Sequence, residues 1–179
     1  MTEPAVPAVP VVPYDDSYWV IPGKLLAGEY PANRWSDDLT RSKIQSLLIA
    51  GVRVFIDLTR PGELPAYLPF LREQSGWLNM PTEYAHFPIN DYGIPSREQM
   101  TATLDRIDAA LAQDKPVYVH CWGGIGRTGT VVACYLIRHG MDPEQALAHL
   151  QTLRRAVPDP RRSPESDEQW GFVRRWGEE

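Results

Sequence analysis

Two apolar runs near the start of the chain, Tyr18-Trp19-Val20-Ile21 and Leu25-Leu26-Ala27, are separated by the turn residues Pro22-Gly23-Lys24, which predicts two short strands in an edge hairpin. Over 36–50, Leu39, Ile44, Leu47 and Leu48 recur at near-helical spacing, and Gly51 follows as a stop. The β-branched and apolar stretch 52–58 then predicts a buried strand. After a loop-rich segment around 61–69, Glu83-Tyr84-Ala85-His86-Phe87-Pro88-Ile89 predicts another strand. The turn formers Asn90-Asp91-Tyr92-Gly93 close it, so Asp91 falls at a strand exit. Ser96 with Gln99 has the spacing of a capping box, and Met100, Leu104, Ile107 and Leu111 place a core stripe on the helix that follows. The apolar run 116–120 predicts a strand, leading through glycines into an apolar helix over 128–139 that Gly140 ends. A second helix starts at Asp142-Pro143 and a third runs over about 165–176. Strands alternating with helices predict an α/β fold, with a central, mainly parallel sheet flanked by helices and a late helical subdomain.

Composition adjusts this picture in a few respects. A chain of 179 residues that is 43% hydrophobic suits one domain with a buried core, expected over 14–179. Residues 1–13, rich in alternating proline and small apolar residues, are expected to be a flexible tail. With 18 basic and 23 acidic residues the net charge is -5, which gives no general reason to expect nucleic acid or an anionic membrane as a partner. No apolar run approaches the roughly 18 residues that span a bilayer, and Met1-Thr2-Glu3 lacks a basic signal region, so a soluble cytoplasmic monomer is expected. The two cysteines, Cys121 and Cys134, cannot form a disulfide framework. Cys134, in the apolar helix, is expected to be core, and His86, His139 and His149 lack metal-ligand spacing.

The chemistry concentrates in His120-Cys121-Trp122-Gly123-Gly124-Ile125-Gly126-Arg127-Thr128, between a strand and a helix, where open α/β sheets gather their ligand sites. The glycines let the backbone of Trp122, Gly123, Gly124, Ile125 and Gly126 curl into a concave anion site that the helix N-terminus reinforces. Arg127 offers a planar fork to two oxygens of a phosphate, a geometry lysine does not reproduce. These groups stabilise a thiolate, which makes Cys121 a nucleophile whose attack on a phosphoryl group gives a phosphocysteine intermediate. His120 is expected to orient the loop, and the Thr128 hydroxyl to donate to the departing thiolate. The leaving group needs a proton, and Asp91 on its proline- and glycine-bracketed loop is the candidate acid.

The Cys-x5-Arg-Thr pattern with the upstream Asp91 resembles the protein-tyrosine phosphatase superfamily, and Cys-Trp-Gly-Gly-Ile-Gly-Arg-Thr-Gly-Thr is similar to its dual-specificity-like branch, which includes the kinase-associated phosphatase. Leu25-Leu26-Ala27-Gly28-Glu29-Tyr30-Pro31 and Phe55-Ile56-Asp57-Leu58-Thr59 resemble that branch's opening strands. The resemblance implies Cys121 as nucleophile, Arg127 as phosphate clamp and Asp91 as general acid, with no metal or other cofactor. It implies a phosphorylated protein as substrate, on tyrosine and on serine or threonine. A phosphoinositide or other small phosphate ester, and an inactive phosphate-binding module, are the alternatives. Gln169 resembles the superfamily's C-terminal glutamine, with helix packing the favoured role. Arg161-Arg162 border the expected pocket, and Asp57 is placed to bond a neighbouring loop. Gly124-Ile125-Gly126-Arg127-Thr128-Gly129 also matches a dinucleotide fingerprint, but the acidic residue that such a site needs about 20 positions on is replaced by Ala148-His149-Leu150-Gln151.

Overall fold

The computed structural model describes residues 8–178. Its sheet has five strands, β1 (Ser17–Ile21), β2 (Leu25–Gly28), β3 (Val54–Asp57), β4 (Glu83–His86) and β5 (Val117–His120), in the spatial order β1-β2-β5-β3-β4. Only β1 and β2 pair antiparallel; β2 with β5, β5 with β3 and β3 with β4 are parallel. The hairpin thus contributes one edge strand, β1, and one interior strand, β2. Six helices complete the described chain: α1 (Asp37–Ile49), α2 (Leu68–Trp77), α3 (Arg97–Leu111), α4 (Gly126–Arg138), α5 (Pro143–Leu153) and α6 (Asp167–Trp176). None is long and apolar enough to cross a membrane.

The strand alternation sorts the core into two halves. Leu25, Ala27, Val54, Ile56, Val117 and Val119 face a cluster with Met100, Leu104, Ile107 and the buried face of α4. Leu26, Phe55 and Tyr118 point the other way, against Ile44, Leu47 and Leu48 of α1 and Leu71 of α2. Both faces of the parallel strands are therefore covered, which is why these strands read as unbroken apolar runs. Leu39, expected in the α1 stripe, is 54% exposed; Thr40 takes the inward position and donates its hydroxyl to the Ser36 carbonyl. Helix α4 is buried on nearly every side because the sheet, α5 and α6 all pack on it. It is followed by α5 rather than by the further strand a dinucleotide fold would need.

Helix α2 was not expected from the sequence. Of the proposed tail, 1–7 lie outside the described residues; over 8–13 the chain has no regular structure, and Val12 packs partly buried against the α1 side.

Candidate active site

Gly28, His120 and Asp57 stand in register at the carboxyl ends of β2, β5 and β3, so three consecutive loops open at one edge of the sheet. The middle one is the Cys121 loop. Its conformation depends on Gly124, where φ is +70° and an added Cβ would stand 2.4 Å from the Gly28 carbonyl carbon. That approach, with the bond from the Tyr30 N–H to the Trp122 carbonyl at 2.8 Å, fastens the loop to the end of β2. Gly124→Ala combines a left-handed backbone with a backbone clash, and is expected to lower unfolding free energy by on the order of 3 kcal/mol in denaturant titration. A stable, fully ordered variant would contradict the tight approach.

Helices α1, α3, α5 and α6 begin at Ser36, Ser96, Asp142 and Ser166, each accepting from the N–H three residues on. Helix α4 instead begins at Ile125, at the mouth of the loop, with no side chain capping its first N–H groups. Cys121 is 3% exposed, and its loop lines a cavity of about 360 Å³ with Asp91, Tyr92, Arg127 and Arg161. Cys121, Arg127 and Asp91, singled out in the sequence, thus line one pocket.

Arg127 is not held as the sequence alone suggested. Its Nη1 and Nη2 donate to the two carboxylate oxygens of Glu63, at 2.8 and 2.6 Å, and Nη1 also reaches the Ile89 carbonyl at 3.1 Å. Asp91 Oδ1 lies 3.2 Å from Nη2. Among the described residues the buried Nε has no partner, and neither has the Thr128 hydroxyl. Glu63 therefore aims the guanidinium, and Nε is its one nitrogen without a partner among the described residues. Sequence reasoning missed Glu63, whose only signal was a carboxylate in the loop after β3. Its hydrogen bond to Arg127 holds the Glu63 carboxyl below its ordinary range, so it contributes stability above that range that is lost as pH falls through the lowered value. The stability advantage of the wild type over Glu63→Gln is expected to shrink between about pH 5 and 3, and a constant difference across that window would remove the pairing from the account.

The supporting residues form two frames. On one side the buried Tyr67 hydroxyl pairs with His120 Nε2 at 2.7 Å, and His120 Nδ1 lies 3.3 Å from the Cys121 carbonyl. Burial pushes the His120 pKa down, so the ring is neutral and one nitrogen accepts. Asp57, alongside, accepts from the Thr59 N–H, the Thr59 hydroxyl and the Tyr84 hydroxyl. On the other side Gln169, fully buried, accepts from the N–H groups of Glu165 and Ser166 and donates to the Gly93 carbonyl at 3.2 Å. A Cβ on Gly126 would meet Gln169 Nε2 at 2.9 Å, so this side chain touches both the Cys121 loop and the Asp91 loop. Ser166 Oγ donates to the Tyr92 carbonyl and Gln99 Nε2 to the Pro88 carbonyl, which pins the Asp91 loop at further points. Ser163 Oγ donates to the Ile125 carbonyl at 2.6 Å. Cys134 is fully buried in α4, and burial pushes its thiol pKa up, as suits an inert core residue. Arg161 borders the pocket but is held by Asp159 and Glu165.

Residues 15–169 match the family described as Swiss Army Knife protein, DSP-PTPase phosphatase domain. The mouse protein tyrosine phosphatase domain-containing protein 1 is 33% identical over 121 residues, 62% of this chain and 16% of that protein. The phosphatidylinositol 3,4,5-trisphosphate 3-phosphatase and protein-tyrosine-phosphatase PTEN1 of Arabidopsis thaliana is 30% identical over 136 residues, 75% of this chain and 32% of its own length. The chain thus spans about a sixth to a third of these two relatives. Among solved structures, the active form of Tk-PTP superposes with a TM-score of 0.74 at 23% identity, covering 92% of this chain and 98% of that one.

Proposed function

This chain belongs to the dual-specificity-like phosphatases of the protein-tyrosine phosphatase superfamily, and from that premise we propose that it hydrolyses phosphomonoesters of phosphotyrosine and phosphoserine/threonine proteins through a phosphocysteine at Cys121. The observation that carries the reading is the buried Cys121 thiol in one cavity with Arg127 and Asp91, at the uncapped start of α4. In the first step Cys121 Sγ attacks phosphorus, the bond to the leaving oxygen breaks, and Asp91 supplies that oxygen with its proton. The uncapped N–H groups of the loop and Arg127 hold the non-bridging oxygens as charge builds on them. In the second step a water oxygen attacks phosphorus and passes a proton to Asp91. The P–S bond breaks, returning the thiolate, with the Thr128 hydroxyl as donor to it. Trp122, Gly123, Gly124, Ile125 and Gly126 supply the cradle, and His120 holds its base.

A phosphoinositide is the second reading, favoured by the name of the Arabidopsis relative. The loop between Cys121 and Arg127 carries no lysine to bind additional phosphates, which supports protein substrates. A panel of phosphotyrosine and phosphoserine/threonine peptides, phosphoinositides and nucleotides, with Cys121→Ser as the blank, tests the assignment. Faster turnover of phosphoinositides than of every peptide would transfer it to lipids, and no Cys121-dependent release from any substrate would leave only a phosphate-binding module. Asp91→Asn is expected to slow esters of poor leaving groups about 100-fold while barely affecting good ones. Equal losses on both would take the acid role from Asp91.

A further inference from the structure

Trp122, the residue after the nucleophile, is 48% exposed and borders three cavities. One is the catalytic pocket. The second, about 250 Å³, lies over the β2–α1 loop and is lined by Tyr30, Ala32, Arg34, Trp35 and Leu64, and by Glu29, whose carboxylate is held by Lys43. The third is a cleft lined by Arg60, Gly62, Glu63 and Asp91. The Arg34 guanidinium lies over the Trp122 ring, 5.0 Å from its centroid, and among the described residues no carboxylate or hydrogen-bond acceptor engages it. The Arg60 side chain likewise has no partner among the described residues, whereas Arg127, Arg161 and Arg162 are all ion-paired. Trp35, at the far wall of the second cavity, is 91% exposed. An indole this open beside a second exposed indole and an unengaged guanidinium is a surface that apolar atoms and an anion together would cover.

We propose that the groove bounded by Trp122, Arg34 and Trp35 is a substrate subsite that takes an acidic side chain next to the phosphorylated residue of a peptide. The proposal rests on the phosphatase reading and adds to it a substrate class. Arg34, its guanidinium over the Trp122 ring, presents donor N–H groups to a carboxylate, while the methylenes of a glutamate lie against Trp35 and Leu64. A single cation matches a single carboxylate, whereas a polyphosphorylated headgroup would require several.

The test compares kcat/KM for phosphotyrosine peptides that carry Glu, Ala or Lys beside the phosphotyrosine, with p-nitrophenyl phosphate as the reference. The wild type is expected to favour Glu over Lys by roughly three- to tenfold, with the ratio falling towards one near 0.5 M salt. Arg34→Ala should flatten the preference and Arg34→Glu should turn it towards the Lys peptide, both with wild-type turnover of p-nitrophenyl phosphate. Equal rates on the three peptides in the wild type, or a preference that survives in Arg34→Glu, would overturn the subsite and leave the phosphatase reading intact. A wild type inert towards p-nitrophenyl phosphate and all peptides would remove both. Turnover of a soluble inositol bisphosphate above every peptide, and lost in Arg34→Glu, would overturn the peptide as occupant.

Discussion

Cys121→Ser is expected to reduce p-nitrophenyl phosphate turnover by at least about 10⁴-fold while leaving phosphopeptide binding within a few-fold of wild type. Serine fits a site where the residue is 3% exposed, and it leaves the uncapped α4 N-terminus, Arg127 and Glu63 in place, so the groups that bind phosphate are unchanged. What is lost is the nucleophile, because a serine hydroxyl is far less readily ionised than a thiol and no base stands beside it. His120 is turned away from that role, since its ring is engaged by Tyr67 and faces the Cys121 carbonyl. Turnover and equilibrium binding to the same phosphotyrosine peptide, measured on one preparation, separate the two effects. Residual turnover above about one per cent of wild type would remove Cys121 as nucleophile.

Arg127→Lys should be the next most damaging change, lowering kcat/KM by about 10²- to 10³-fold with the charge retained. A lysine ammonium cannot engage both Glu63 oxygens and still offer a planar edge to the phosphate, as the guanidinium does with its unpartnered Nε. Arg127→Ala should also destabilise the fold by about 1–3 kcal/mol, because it leaves the Glu63 carboxylate, 15% exposed, without its cation. Combining Arg127→Ala with Glu63→Gln should recover part of that stability and none of the activity. Wild-type kcat/KM in Arg127→Lys would show that the fork geometry is immaterial.

How much of this was legible in the chain differs from element to element. The strands and the helices α1, α3, α4 and α5 follow from apolar spacing and from caps such as Ser96 and Asp142. Helix α2 escaped because Pro65 and Pro69 punctuate its approach, no side chain caps it, and only Leu71 and Gln74 of its ten residues are buried, which leaves no apolar stripe to read. Cys121, Arg127 and Asp91 were legible because a seven-residue pattern and a strand exit carry them. Glu63 and Tyr67 were not, since their partners Arg127 and His120 lie 64 and 53 residues away and no local spacing encodes such a bond. Gln169 was noticed for its likeness to other phosphatases, but its bridge between two loops follows only from α6 packing on α4.

The strand order has a consequence for how the protein is made. β5, which leads into Cys121, bonds among the described residues only to β2 and β3, and Val117 pairs with Leu25 and Val54, 92 and 63 residues upstream. The last fastening of the Asp91 loop waits for Ser166 and Gln169, 45 and 48 residues after Cys121. Contacts this distant in sequence close late in folding, after the long intervening segments have been ordered. A ribosome-bound chain in which Cys121 has emerged and α6 has not therefore lacks the two side chains that fasten the Asp91 loop beside it.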